Sequence, residues 1–270
     1  MRISFSKYHG TGNDFILLDN RQGEYNLTEN EIAFLCDRHF GIGADGLILL
    51  GLIKGYDFSM TYFNSDGRES TMCGNGARCI TRFAQSLGLI KEKARFTAID
   101  GEHFSEIIPS DGDTVIRVRM KDTRIISDSE EGIFLDTGSP HFVLFADQVR
   151  EMDVNARGRV IRYDESFGKA GTNVNFAQII PEGLYVRTYE RGVENETLSC
   201  GTGVTASAIA FAFISGDSGG KTMVRTPGGD LVVNFKQHGE AFSDVWLQGP
   251  ALFVFSGEMV IPGDISIPKL

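Results

Sequence analysis

The sequence contains no run of basic residues: 36 acidic side chains outnumber 26 Lys and Arg, which gives a formal net charge of −10. Proteins that bind nucleic acid by neutralising its phosphates need a basic surface, so the composition argues against that class. The N-terminus lacks the apolar segment of a signal peptide. The longest apolar stretch, near residues 204–214, is too short to cross a bilayer. We therefore expect a cytoplasmic protein that binds neither nucleic acid nor membranes.

Cysteine is scarce, and its spacing excludes several kinds of site. The four cysteines, at positions 36, 73, 79 and 200, include no closely spaced pair of the kind that zinc sites and thioredoxin-type redox centres use. We therefore expect no metal. The spacing also differs from the disulfide frameworks of small secreted domains, which agrees with a reducing compartment. The glycine-rich segment 41–46 is not followed by Lys-Ser/Thr, so a phosphate-binding loop is not predicted.

The most informative feature that is present is a repeat. Residues 69–76, Glu-Ser-Thr-Met-Cys-Gly-Asn-Gly, recur as residues 196–203, Glu-Thr-Leu-Ser-Cys-Gly-Thr-Gly, at an offset of 200 − 73 = 127. The same offset relates three further pairs of segments: residues 15–17 and 142–144, Tyr62 and Tyr189, and residues 40–41 and 167–168. We interpret the pattern as an ancient duplication that produced two similar domains of ordinary size.

Short strand-like runs separated by Gly, Asp and Asn dominate both halves. Helical patterns are few: residues 28–38, with Thr28 and Glu31 at capping-box spacing, and residues 77–87 and 204–213, which follow Cys73 and Cys200. The sequence predicts an α+β fold of two pseudo-symmetric, mostly antiparallel β domains, each wrapped around a central helix, with the active site in the cleft between them.

The domain boundary is predicted in the polar segment 121–131. The first domain then comprises residues 1–121 and carries Cys73, and the second comprises residues 122–255 and carries Cys200. We expect the C-terminal tail, about residues 256–270, to return to the first domain.

Cys73 and Cys200 each lie directly before a predicted helix. A thiol has a pKa of about 8.5, and the free N–H groups of a helix N-terminus favour the thiolate. The same N–H groups can hold a carboxylate. Two thiols with one carbon between them can exchange the roles of base and acid, which is what a racemase or epimerase requires. Cys36 and Cys79, which lack this duplicated context, are predicted to be structural.

The motifs resemble those of the diaminopimelate epimerase family over nearly the whole chain. The resemblance is carried by residues 7–15, by Phe63-Asn64-Ser65-Asp66-Gly67 leading to residues 72–78, and by Tyr189-Glu190-Arg191-Gly192 leading to residues 200–203. It implies cofactor-independent epimerisation of LL-2,6-diaminopimelate to the meso form, in lysine and peptidoglycan precursor biosynthesis. It also implies a homodimer that needs no cofactor.

The resemblance assigns roles to individual residues. Cys73 and Cys200 match the family's acid/base pair, and His141 and Glu190 match residues that tune the thiols. The positions that match substrate-binding residues are Asn13, Asn64, Asn173, Glu190 and Arg191, together with the carboxylate-holding turns Gly74-Asn75 and Gly201-Thr202. Each has a simpler alternative: Asn13 and Asn64 could be turn residues, Arg191 part of a surface ion pair, and His141 a structural histidine.

The sequence departs from the family pattern at three places. Gly46 stands where Gln is common, Ser139 stands where Asn is common, and the loop from Glu190 to Cys200 is longer by a residue. Two other functions stay open. One is a proline or hydroxyproline racemase-like enzyme, which also uses two cysteines, and the other is a non-catalytic protein that binds acidic amino acids.

Overall fold

The computed structural model describes residues 1–109, 114–216 and 220–263. The chain divides into two compact units: unit 1 comprises Met1–Val118 and the chain from Pro250 onward, and unit 2 comprises Arg119–Gly249. Unit 2 is therefore one continuous segment, whereas unit 1 is built from both ends of the chain. No helix in the described ranges is long and apolar enough to span a membrane.

Unit 1 is built mainly of strands. Its elements in chain order are β1 (Arg2–Gly10), β2 (Asn13–Asp19), α1 (Glu29–Cys36), β3 (Gly46–Gly51), β4 (Phe58–Asn64), β5 (Glu69–Ser70), α2 (Gly74–Ser86), β6 (Lys93–Ala98), β7 (Gly101–Ile108) and β8 (Val115–Arg119). The antiparallel pairs are β1–β2, β3–β4, β4–β5, β6–β7 and β7–β8, whereas β2 pairs in parallel with β3 and β4 in parallel with β6. The apolar side chains of α2 pack against these strands in one core.

Unit 2 repeats this plan. Its elements are β9 (Thr123–Ser129), β10 (Gly132–Asp136), β11 (Pro140–Phe145), a 3-10 turn (Val149–Glu151), α3 (Val154–Arg162), a second 3-10 turn (Glu165–Phe167), β12 (Asn173–Ile180), β13 (Gly183–Glu190), β14 (Asn195–Thr197), α4 (Gly201–Ser215), β15 (Lys221–Thr226), β16 (Gly229–His238) and β17 (Ala241–Pro250). The pairs β9–β10–β11–β12–β13–β15–β16–β17 continue until β17 meets β9 again. The strands therefore form a closed ring.

Helix α4 fills the inside of that ring. It is apolar on all sides, as a helix surrounded by strands must be, and its residues share one core with β10, β11, β12, β13, β15, β16 and β17. Its two central hydroxyl groups are satisfied locally, since Thr205 and Ser207 each donate to the carbonyl oxygen four residues earlier. The predicted α+β fold of two strand-rich repeats, each with a central helix, is confirmed.

The last strand belongs to unit 1. β18 (Leu252–Val260) pairs antiparallel with β1 along its whole length. Ile261 then exchanges backbone hydrogen bonds with Met1 and packs in the core of unit 1. The chain therefore re-enters unit 1 at Pro250, earlier than the predicted residue 256, because pairing with β1 requires the complete strand. The rest of the predicted tail, residues 264–270, lies outside the described residues.

The offset of 127 residues relates the elements as well as the motifs. Adding it to the first residues of β3 and α2 gives the first residues of β12 and α4, and adding it to α1 gives the position of α3. The capping box at Thr28 is present, as predicted. Both central helices begin three residues before their predicted starts, directly after the two cysteines. The predicted boundary after residue 121 lies three residues from the division between Val118 and Arg119, and most of the predicted linker 121–131 forms strand β9.

Candidate active site

The candidate residues of each unit lie where neighbouring strands begin or end, beside the start of the central helix. We call this end of the sheet the polar edge. In unit 1, Asn13 begins β2, and the parallel pairing of β2 with β3 brings Gly46 and then Asn64 to the same edge. In unit 2, His141 pairs with Asn173 at the start of β12. Glu190 ends the next strand. The duplication has therefore produced two similar polar edges.

Cys73 and Cys200 are the N-cap residues of α2 and α4. Both have extended backbone angles, and both carbonyl oxygens accept the first helical hydrogen bond, from Ala77 and Val204 at 2.7 and 2.8 Å. Cys73 is half-buried and Cys200 is buried. The N–H groups of a helix's first turn have no intrahelical partner and favour negative charge beside them. Each thiol therefore lies at the positive end of a helix dipole.

Asn13 connects the thiol of unit 1 to the rest of its edge. Its Oδ1 accepts from Cys73 Sγ at 3.7 Å and from Asn75 Nδ2 at 3.3 Å, and its Nδ2 donates to Asp45 Oδ2 at 2.8 Å. Because a carboxylate only accepts, Asp45 fixes which end of the Asn13 amide faces the thiol. The structure thus brings Asn13, Cys73 and Asn75 together, and adds Asp45, which sequence reasoning missed.

Asp45 is held in turn by an ion-pair network. Arg38 binds both Asp45 and Asp14 at 2.8 Å, and buried Lys7 binds Asp14 at 2.9 Å. Burial of Asp14 disfavours its charge, but the hydrogen bonds from Arg38 and Lys7 outweigh that effect and hold the pKa of this carboxyl well below its usual range. Asp14 therefore stays ionised at neutral pH and pairs with both cations at this end of unit 1.

Arg78 is a fully buried cation beside the Gly74-Asn75 turn. Within the described ranges, its hydrogen bonds all end on uncharged acceptors: Asn75 Oδ1 at 2.8 Å, Thr11 Oγ1 at 3.3 Å, and the carbonyl oxygens of Gly74 and Pro250. Burial lowers the pKa of Arg78 to about 10, so it keeps its charge at neutral pH. The guanidinium therefore ties the turn after Cys73 to the hairpin before Asn13.

Asn13 and Asn64 also occupy turns, as the simpler alternative proposed. Thr11 and Gly12, with φ of 50° and 82°, form the tight turn between β1 and β2, and Asn13 follows it. The carbonyl oxygen of Asn64 accepts from Gly67 N–H at 3.0 Å in the turn after β4. These bonds involve backbone atoms. The Asn64 side chain is exposed.

In unit 2 the thiol is connected to a buried histidine. Cys200 Sγ lies 3.4 Å from Thr202 Oγ1, which lies 2.9 Å from His141 Nε2. Ser139 Oγ lies 3.0 Å from the same nitrogen. Burial lowers the pKa of His141 to about 3, so the ring is neutral at physiological pH. His141 therefore faces the thiol through a hydroxyl group.

Asn173 holds the segment that carries Glu190 and Arg191. Its Oδ1 accepts from the Arg191 backbone N–H at 2.8 Å, and its Nδ2 donates to Pro140 O at 2.9 Å and to Ser139 Oγ at 3.2 Å. Glu190 accepts from Thr197 Oγ1 at 3.0 Å. Within the described ranges the Arg191 guanidinium forms no ion pair, so the surface-pair alternative is not supported.

The other candidates from the sequence can also be located. Cys36 and Cys79 are buried in the two cores of unit 1. In residues 1–109, 114–216 and 220–263, no group of three or more His, Cys, Asp and Glu side chains is arranged to hold a metal ion.

Gly46 leaves no room for a side chain. A Cβ atom there would lie 2.6 Å from both the carbonyl oxygen of Phe63 and the ring of Tyr62. We expect Gly46→Ala to lower the free energy of unfolding by about 1–3 kcal/mol, a usual cost of overpacking. Denaturant titration would measure it. Gly263→Ala, where nothing lies within 4 Å, is the matched control, and equal stability of the two variants would contradict the packing argument.

The four cysteines are expected to differ in reactivity. Burial raises the pKa of Cys36 to about 12 and raises that of Cys79 as well, whereas Cys73 and Cys200 lie at helix N-termini. Brief treatment of the native protein with iodoacetamide at about pH 8 should modify Cys73 and Cys200 and spare the other two, because the thiolate is the reactive form. Peptide mass spectrometry would read this out. Modification of Cys36 or Cys79 at a similar rate would refute the assignment.

Solved structures define the class of fold. The chain matches a phenazine biosynthesis protein of the PhzF family from Bacillus anthracis with a TM-score of 0.77 at 16% identity, over 97% of this chain and 100% of that one. It matches a hydroxyproline epimerase from Agrobacterium vitis with a TM-score of 0.68 at 13% identity, over 95% of this chain and 92% of that one. The chain therefore has the duplicated α+β fold that these proteins share.

Sequence comparison then identifies the family. The model of the diaminopimelate epimerase family matches twice, at residues 5–126 and 133–254. A diaminopimelate epimerase from Flavobacterium psychrophilum is 49% identical over 251 residues, 92% of this chain and 97% of that protein. Another, from Chlorobaculum tepidum, is 39% identical over 264 residues, 93% of this chain and 99% of that protein. The chain belongs to the diaminopimelate epimerase family, and the resemblance inferred from its motifs is confirmed.

Proposed function

We propose that this isomerase converts LL-2,6-diaminopimelate to the meso form, as the names of its relatives indicate. The observation that carries the proposal is the pair of thiols, each at the N-cap of a repeated helix, in a chain of this family. The reaction exchanges the α proton of one amino-acid centre. It supplies a precursor for lysine and peptidoglycan, and we propose that it proceeds in the cytoplasm, where thiols stay reduced.

Cys73 and Cys200 are proposed to serve opposite faces of the reacting carbon. One thiolate removes the α proton while the other thiol donates a proton to the opposite face, so the configuration inverts. The next turnover in the reverse direction uses the thiols in exchanged roles. No metal or organic cofactor enters this mechanism, because the two thiols supply both the base and the acid.

The turns after the cysteines are proposed to hold the carboxylate next to the reacting carbon. Gly74-Asn75 and Gly201-Thr202 provide first-turn N–H groups of α2 and α4, which bind anions readily. The buried charge of Arg78 behind the first turn strengthens that preference, since a cation in a low-dielectric setting acts strongly on a nearby anion. His141 and Glu190 are proposed to tune the thiols.

The far amino-acid end of the substrate is proposed to bind Arg191, Asn64 and Asn173, and Asn13 and Glu190 are the other side chains proposed to contact the substrate. A guanidinium can bind a carboxylate with two parallel hydrogen bonds, and Glu190 can accept from an ammonium group. In this scheme Asn173 contributes chiefly by holding the Arg191 backbone, because its amide is already hydrogen bonded on both ends.

The deciding experiment is a solvent-exchange assay with the purified protein. In D2O, LL-diaminopimelate should gain deuterium at the α carbon and convert to the meso form, with no metal or pyridoxal phosphate added. Exchange with proline or hydroxyproline in its place would favour the racemase alternative. Tight binding of an acidic amino acid without any exchange would favour the non-catalytic alternative. Light scattering of the same sample tests the proposed homodimer, which would be contradicted by a monomer mass.

A further inference from the structure

Asn175 is a buried polar residue at a position that belongs to the hydrophobic core in the other repeat. It is 0% exposed and lies in β12. Subtracting the offset of 127 gives Ile48, which is equally buried and packs in the core of unit 1. Burial of an amide is costly unless each of its polar atoms is hydrogen bonded. An amide in place of an apolar side chain therefore indicates that this position has a hydrogen-bonding role in unit 2 that it does not have in unit 1.

The hydrogen bonds of Asn175 fix which end of its amide faces which neighbour. Its Nδ2 donates to the Phe142 carbonyl oxygen at 3.2 Å, and its Oδ1 accepts from Thr188 Oγ1 at 2.9 Å. A carbonyl oxygen can only accept, so reversing the amide would place two acceptors against each other. The second Nδ2 hydrogen points at His141 Nδ1, 3.1 Å away. His141 Nδ1 must therefore accept.

The opposite nitrogen of the ring then carries the proton. A neutral imidazole whose Nδ1 accepts has its hydrogen on Nε2, and the partner of one nitrogen sets the state of the other. The charged groups that act on the ring are Asp136, which favours its protonation, and Arg191, which opposes it; burial outweighs both and lowers the pKa of His141 to about 3. The ring is thus a fixed Nε2–H donor above about pH 5.

The Thr202 hydroxyl group connects the His141 ring to the Cys200 thiol. His141 Nε2–H faces two hydroxyl oxygens, Thr202 Oγ1 at 2.9 Å and Ser139 Oγ at 3.0 Å, and the Thr202 hydroxyl lies 3.4 Å from Cys200 Sγ. An oxygen that accepts from the ring can direct its own hydrogen to the sulfur. A hydroxyl donor favours the thiolate form over the thiol.

We propose that Asn175 is a positioning residue that locks His141 in the neutral Nε2–H tautomer, so that Thr202 donates its hydroxyl hydrogen to Cys200 and stabilises the Cys200 thiolate. The inference deepens the proposed function, in which Cys200 is one of the two acid/base groups. Asn175 is hydrogen bonded to His141, Phe142 and Thr188, and acts on the thiol through His141.

The first test measures the tautomer of His141 in the unaltered protein. The chain has five histidines, so ¹⁵N-histidine labelling gives a spectrum simple enough to assign with a single His141→Gln sample. The His141 signals should show a proton on Nε2 and a bare Nδ1, unchanged between about pH 5 and 9. A proton on Nδ1, or a ring that titrates within this range, would overturn the proposal.

The second test measures whether Asn175 affects the ionisation of the Cys200 thiol through Thr202. Asn175→Ile introduces the residue type that the other repeat has at this position, where Ile48 packs beside Gly76. The midpoint of the pH dependence of Cys200 alkylation should rise by about one pH unit, the effect of losing roughly one hydrogen bond. The kcat/KM for diaminopimelate should fall about tenfold at pH 7, while the alkylation of Cys73 stays unchanged.

A double-mutant cycle distinguishes an effect that is transmitted through the Thr202 hydroxyl from a general loss of packing. Thr202→Val should raise the same midpoint, and Asn175→Ile in the Thr202→Val background should add nothing, because the hydroxyl that carries the effect is absent. Asn30→Ile, at an exposed position of α1, is the control and should change neither midpoint. Additive shifts in the double variant, or an unchanged Cys200 midpoint in Asn175→Ile, would overturn the proposal.

These readouts are independent of the proposed function. Tautomer and alkylation measurements need no turnover, so they can succeed even if diaminopimelate proves not to be the substrate. Conversely, normal epimerisation with an Nδ1–H tautomer at His141 would leave the proposed function intact and remove the role assigned to Asn175.

Discussion

Replacing Cys73 or Cys200 by alanine is expected to lower the rate of epimerisation by about 10⁴-fold, the upper range for loss of a general acid or base. Neither thiol can substitute for the other, because each serves one face of the carbon. Conversion of the LL to the meso epimer, followed by chiral chromatography, measures the loss. Cys36→Ala, which removes a buried thiol from the core of unit 1, is the control and should retain turnover if it folds.

Unlike a fully inactive protein, each single variant should still exchange the α proton of one epimer with solvent. Each keeps one thiol that can remove a proton from its own face, so slow deuterium incorporation without inversion should remain for one epimer. A variant that still inverts the centre at near the original rate would show that one base is sufficient. That result would remove the two-thiol mechanism while leaving the family assignment untouched.

Arg191→Ala is expected to lower kcat/KM for diaminopimelate by about 100-fold or more, since a charged, bidentate contact contributes more than a neutral hydrogen bond. The far end of the substrate does not react, so its binding serves to position the reacting carbon. Steady-state kinetics with diaminopimelate and with lysine, which lacks the distal carboxylate, would test this. Lysine should be a very poor substrate for the unaltered protein.

The comparison of substrates also provides the control for Arg191. If its guanidinium binds the distal carboxylate, then Arg191→Ala should have little further effect on lysine. An equal loss for both substrates would indicate a general structural role. Turnover of lysine or proline as fast as diaminopimelate would contradict the proposed specificity and favour a broader amino-acid racemase.

The parts of the fold that the sequence predicted well are those with a strong local signal. Helix α4 is apolar on every side, and the capping box at Thr28 is a direct start signal. Helix α3 was missed because its sequence contains Gly158, a poor helix former. The structure explains that glycine: a Cβ there would lie 2.4 Å from Tyr189 Cβ, so packing against β13 determines the residue. Tertiary contact overrides local propensity here.

The site was predicted unevenly for a similar reason. The cysteines and the turns that follow them were visible as a repeat, since both copies kept the same motif. Asp45, Arg78 and Asn175 act through hydrogen bonds to residues distant in sequence, and a lone Asp, Arg or Asn carries no local signal for that. Asn175 could have been noticed from the repeat itself, because its counterpart at the same offset is Ile48.

The pairing of β1 with β18 has a consequence for the order in which the chain can fold during synthesis. Unit 2 is one continuous segment that precedes β18, so its closed ring contains no strand that is synthesised after it. Unit 1 begins first and finishes last, because β1 must wait for a partner roughly at the opposite end of the chain. Its exposed strand edge must be protected from other chains until then. Unit 1, whose first strands are synthesised earliest, is thus the later unit to reach its native state.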